Sequence, residues 1–196
     1  NGQLYKIKSF EFYRYEDIIK KEDDAGYDKT AFEKMLEIKG DSDHTKLIDM
    51  LTDLNDYSIG IEDVLKEHFD EENIVYWMAF QILMGNVDTQ NRNVYLYSPL
   101  NSDIWYFIAW DNDGCLMRPE YELRNFSDQN SWEKGISNYW GNILFQRCLK
   151  SRSFREILND AILELREYLN KDMLISKIES YKNVLKPYLY SMPDAE

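Results

Sequence analysis

The chain has 196 residues, 44% hydrophobic and 15% aromatic, enough to build one substantial core in a single compact unit. Its 36 Asp and Glu against 23 Lys and Arg leave a formal charge of -13. That charge argues against nucleic acid or an anionic membrane as partner, and it obliges any site for a polyphosphate to work through metal ions. Cys115 and Cys148 are too few for a disulfide framework and too far apart for a paired metal-ligand motif. No apolar run approaches the roughly 18 residues that cross a bilayer, and Asn1 to Ser9 lack the layout of a signal peptide. A start at Asn1 without Met points to a mature product or an excised fragment.

In chain order, Leu4, Ile7, Phe10 and Phe12 among polar neighbours give a faint strand signal, read as the last piece of a sheet. After the acidic stretch Lys20 to Asp28, helical spacing takes over at Phe32, Met35 and Leu36, then at Leu47, Ile48, Leu51 and Leu54, with Ser42 or Asp43 as the cap of the second helix. Ile61, Val64, Leu65 and Phe69 continue it. Asp70, Glu71 and Glu72 open an apolar helix through Ile82 that ends near Gly85. Asn93 to Tyr97 and Ile104 to Trp110 are β-branched and aromatic, joined by a linker of Ser, Pro, Asn and Asp, and read as a β-hairpin, the one clear sheet element. Helices resume at Ile136 to Leu144, Phe154 to Leu165 and Leu174 to Leu185, with Pro187 and Pro193 closing the last. The layout is helices, one hairpin, helices.

Chemistry concentrates between Gly85 and Gly114. Asp88 and Asn93 stand five positions apart on a loop entering a strand, the spacing of a kinase catalytic loop, where the Asp accepts the hydroxyl proton and the Asn holds a metal ion. The hairpin then ends in Trp110-Asp111-Asn112-Asp113-Gly114, where a kinase puts its main metal-binding Asp. Phosphoryl transfer needs little covalent help but much charge neutralisation, so carboxylates and an amide must converge at strand ends. Either half alone is common; the order helix, Asp loop, hairpin, Asp-Gly is more restrictive. Asp111, Asp113 and Gly114 also fit positions three, five and six of a calcium loop with Glu120 last, but position one would be Ala109 inside the strand.

These residues resemble the spore coat protein H (CotH) kinases in Gly85-Asn86-Val87-Asp88, in Asn93-Val94-Tyr95-Leu96-Tyr97 and in Trp110-Asp111-Asn112-Asp113-Gly114. Asn142 to Leu149 with Phe154-Arg155 look like the family's helical tail, Gly2-Gln3-Leu4-Tyr5-Lys6 like its Gly-x-x-Tyr strand, and Glu37-Ile38-Lys39 is a fainter echo. The resemblance implies an α+β, predominantly helical fold, an atypical protein-kinase-like C-terminal lobe with one β-hairpin and a helical tail. It would span 1–196 as a single domain, with 1–13 a remnant strand of the small lobe. It also implies transfer of phosphate from ATP to protein Ser or Thr with Mg²⁺ or Mn²⁺, Asp88 as catalytic residue, Asn93 and Asp111 as cofactor-binding metal ligands, and Asp113 as a further metal ligand. A bacterial spore coat or cell surface is the setting it implies. The sequence departs from ordinary kinases in having Asn86-Val87 for His-Arg, and in carrying no assignable small-lobe Lys among Lys6, Lys8 and Lys39.

Two other functions stay open: a noncatalytic surface or coat-assembly module that keeps the fold for protein binding, and a metal-dependent hydrolase using the same carboxylates. Trp77, Trp105, Trp110 and Trp140 read as core, His44 and His68 as residues of polar helix faces, and Cys115 as a buried small hydrophobe. Arg147, Lys150, Arg152 and Arg155 read as a solvated basic face or a surface for an acidic substrate.

Overall fold

The computed structural model describes residues 2–86, 88–116 and 137–189. Alternating burial along Gln3–Ile7 (β1) and Val94–Ser98 (β3) makes these two strands the middle of an antiparallel sheet, flanked by Leu36–Ile38 (β2) and Tyr106–Ala109 (β4) in the order β2-β1-β3-β4. The expected hairpin is β3–β4, in register from Val94↔Ala109 to Tyr97↔Tyr106. Among the described residues the sheet has four strands rather than the two of one hairpin. Strand β1 pairs along its whole length with β3, from Gln3↔Ser98 to Ile7↔Val94, and β2 pairs with β1. Three residues carry no readable period, so β2 owes its conformation to pairing with β1 rather than to its own pattern.

One face of the sheet, with Tyr5, Ile7, Leu36, Leu96 and Phe107, enters the core. Each aliphatic side chain so buried contributes about 1.5–3 kcal/mol. The helices Lys29–Met35 (α1), Thr45–Asn55 (α2), Ile61–His68 (α3) and Glu71–Leu83 (α4) cover it. Asp28 caps α1 by accepting from Thr30 N at 2.8 Å, and Asp43 accepts from Thr45 N at 2.9 Å, one residue before the helix boundary at His44. Asp70 caps α4 by accepting from Asn73 N at 2.9 Å. Asn73 in turn exchanges two hydrogen bonds with the Phe107 backbone, at 2.6 and 3.1 Å, which locks α4 onto β4.

Several expectations are corrected. Tyr139 and Trp140 lie in a 3₁₀ turn, Ser137–Gly141, and the next helix (α5) is Ile143–Lys150 because Asn142 caps it, accepting from Leu144 N at 3.0 Å; Ile136 lies outside the described residues. Then come Arg152–Tyr168 (α6) and Lys171–Leu189 (α7). Pro187 sits within α7 rather than closing it, and Pro193 lies outside the described residues. The apolar stripe of α7 is not a core face, since Ile178, Tyr181 and Leu185 are exposed.

His44 and His68 are buried, not on polar faces: His44 lies 2.7 Å from the Tyr5 hydroxyl and stacked on Phe32, His68 2.7 Å from Asp53. Arg147 is buried too, donating to the carbonyls of Leu54, Asp56 and Ile59 at the end of α2 and the turn after it, so it cannot serve a substrate surface. Trp77 and Trp105 are core, whereas Trp110 is exposed.

Candidate active site

Helix α4 delivers the chain to the Asp88 loop. Gly85 takes the left-handed φ of 60° that turns the backbone off the helix, and Asn86 follows, buried at 3% exposure. The Asn86 amide nitrogen donates to Gln81 Oε1 at 2.9 Å, and its Oδ1 accepts from Asp88 N at 3.1 Å, an Asx-type link that shapes the loop. Both oxygens of Asp88 are engaged. Asn93 Nδ2 donates to Oδ2 at 2.9 Å, and Arg92 Nε lies 3.1 Å from Oδ1.

The loop is braced from below. Gln90 donates to Asn86 O at 3.1 Å, and the α5 cap Asn142 donates to Gln90 O at 2.8 Å. Asn91 donates to Glu11 Oε1 at 2.8 Å, and Phe10 N donates to Asn91 O at 2.9 Å. A cleft of about 380 Å³ opens here, with Asp88, Arg92, Glu11 and Asn142 among its walls.

The second half arrives through the hairpin. Val94 faces Ala109 across the ladder, so Asn93 and Asp111 flank the same end of β3–β4. Both are non-glycine residues at positive φ, 55° and 53°. Such conformations cost of order 1–3 kcal/mol each and persist only where the surroundings hold them. The turn Asn112–Gly114 then packs straight onto the loop: a Cβ added to Gly114 would lie 2.6 Å from Asn86 Oδ1 and 3.2 Å from Asp88 Cβ. Leu116 N donates to Met84 O at 2.9 Å, pinning the turn's exit to the end of α4.

So Asp88 and Asn93 are in direct contact, and the Asp111–Gly114 turn abuts them. Asp111 and Asp113 are exposed, and among the described residues no three His, Cys, Asp or Glu side chains are placed to share one metal ion. The donors at hand are all hard oxygens. Asn93 commits its amide nitrogen to Asp88 and so keeps Oδ1 as an acceptor, and hard oxygens of this kind are the donors that Mg²⁺ and Mn²⁺ take.

Sequence reasoning missed Gln81, Arg92 and Glu11. The signal for Gln81 was an amide within the apolar run Ile74 to Ile82. Tyr95 and Trp110, expected as strand and core, form an edge-on pair at 5.3 Å on the outer face of the sheet, with Lys6 Nζ 5.3 Å from the Trp110 ring. Cys115 is half-buried rather than buried, and that burial pushes its thiol up.

Among the described residues no helix is long and apolar enough to cross a membrane. No curated protein matches the chain. The family model described as CotH kinase protein matches residues 1–196. The loop, hairpin and turn that carry the sequence resemblance lie within that match, and the chain belongs to the CotH kinase family.

Proposed function

We propose that this protein is an atypical protein kinase that transfers the γ-phosphate of ATP to Ser or Thr hydroxyls of a protein, with Mg²⁺ or Mn²⁺ as cofactor. The observation that supports the reading is the Asp88–Asn93 contact at 2.9 Å with the Gly114 turn packed against Asp88, the order and proximity that a proton acceptor and a neighbouring metal-binding turn would need.

On this reading Asp88 takes the proton of the acceptor hydroxyl, which enters by the cleft above Glu11 and Asn142. Arg92 and Asn93 hold its two oxygens, so that the carboxylate is already oriented when the hydroxyl arrives. Asn93 Oδ1 and the Asp111 carboxylate, with Asp113 beside them, are the groups that would hold the cation. The bound cation supplies neutralisation of the phosphate charge. Tyr95 and Trp110 offer aromatic surface next to this end of the sheet, where a nucleotide base would stack. The family name fits a setting at a bacterial spore coat or cell surface.

The test is the product. Full-length protein with labelled ATP, Mg²⁺ or Mn²⁺ and a candidate substrate protein should yield phosphoserine or phosphothreonine. ADP and free phosphate without protein labelling would indicate a hydrolase instead. A noncatalytic assembly module is the second reading, favoured by the absence, among the described residues, of three carboxylate, His or Cys side chains placed to share one metal ion. Normal assembly by an Asp88→Ala, Asp111→Ala double variant would support it.

A further inference from the structure

Gln81 is fully buried, although the other buried positions of α4 are Ile74, Val75, Trp77, Met78 and Ala79. An amide placed there without partners is costly, so its partners define its role. Its Oε1 accepts from Asn86 Nδ2 at 2.9 Å, and its Nε2 donates to Asn112 Oδ1 at 3.2 Å. Asn86 Nδ2 also reaches Asn112 Oδ1 at 3.2 Å, closing a ring of three amides. One corner of the ring, Asn86, accepts the Asp88 backbone N–H through its Oδ1; another, Asn112, stands between Asp111 and Asp113. A single side chain on a rigid helix thus grips both the Asp88 loop and the Asp111–Asp113 turn.

We propose that Gln81 is a positioning residue of this site: its amide fixes the separation between Asp88 and the Asp111–Asp113 turn by holding Asn86 and Asn112 together. The proposal rests on the kinase reading above. Gln81 is buried away from any substrate and acts only through the two asparagines. A purely space-filling role predicts that an apolar side chain of similar volume serves as well; a positioning role predicts that it does not.

The test uses the full-length protein carrying Gln81→Met, Asn112→Ala, or both. Gln81→Met should melt within about 4 °C of the parent, because the core volume is kept. Its kcat should fall on the order of 10- to 100-fold, the range a displacement of about 1 Å produces, with the KM for the acceptor protein changed less than about twofold. The double variant should be no slower than the worse single one, since both cut the same ring. Independently of activity, exchange of the Asp88 amide should accelerate about tenfold or more in Gln81→Met, because the Asn86 carbonyl that shields it is freed. Should Gln81→Met not fold, Asn112→Ala cuts the ring from the turn and gives the same readouts. An active parent with unchanged kcat and unchanged Asp88 exchange in these variants overturns the positioning role alone. A parent that transfers no phosphate overturns the kinase reading alone, and the Asp88 exchange rates of the same variants then decide the positioning role: faster exchange supports it and unchanged exchange overturns it.

Discussion

Asn93 gives its side-chain amide to Asp88 Oδ2 at 2.9 Å from a backbone held at a φ of 55°. The hydrogen bond and the unfavourable backbone come as a pair, since the left-handed turn at the strand entrance is what aims the amide back at the loop. The two can be separated by substitution. Asn93→Gly tolerates the φ but deletes the amide, and should keep the melting temperature while lowering phosphate transfer by about 100-fold. Asn93→Val introduces a Cβ branch that the φ resists, and should lose about 1–3 kcal/mol in urea denaturation.

Gly114 tests the contact between loop and turn. In Gly114→Ala the new Cβ meets Asn86 Oδ1 at 2.6 Å, so turn and loop must part; denaturation should show a loss of about 1–3 kcal/mol, and transfer should drop with it. Gly141 has nothing within 4 Å of its added Cβ, and Gly141→Ala should lie within about 0.5 kcal/mol of the parent.

Arg147 is buried between α5 and the end of α2, where it serves the fold rather than a ligand. It donates to the carbonyls of Leu54, Asp56 and Ile59 and lies 5.2 Å from the Tyr57 ring. Arg147→Met strips the donors from the buried Leu54 carbonyl and the part-buried Asp56 and Ile59 carbonyls and should cost about 2–4 kcal/mol by chemical denaturation. Catalytic constants of the folded fraction should not change.

His44 sets a pH dependence. Burial holds its pKa below the ordinary 6.5, with Glu22, Asp43 and Asp41 opposing the shift more weakly. The unfolded chain therefore binds a proton near pH 6.5 that the folded chain refuses, and stability falls as pH drops from 7 through 6 toward 5. The slope from this one group is at most about 1.4 kcal/mol per pH unit. His44→Gln should flatten the parent's loss of stability between pH 7 and 5, measured by urea midpoints.

Long periodic segments were legible in the sequence, and so was the existence of the β3–β4 hairpin, because the β-branched and aromatic runs and the turn-forming linker mark it, whereas its register, Val94↔Ala109 to Tyr97↔Tyr106, is set by the fold. A hairpin is enough to bring Asp111 back toward Asn93. What escaped was set by tertiary partners. Strand β1 reads faintly, yet its mate β3 lies some ninety residues on and places it mid-sheet. Arg147 reads as one of four surface cations until the carbonyls at the end of α2 appear around it. His44 reads as polar until the rings of Tyr5, Tyr27 and Phe32 enclose it. The stripe along α7 has helical spacing and is still exposed, since periodicity reports an apolar face and not what covers it.

The most direct measurement is the initial rate of γ-phosphate transfer from ATP to protein by the full-length chain at saturating Mn²⁺ or Mg²⁺, parent against Asp88→Asn. Transfer by the parent is expected, with a loss of about 10²- to 10⁴-fold in the variant, the contribution of a positioned general base. Equal rates in the two proteins would contradict it.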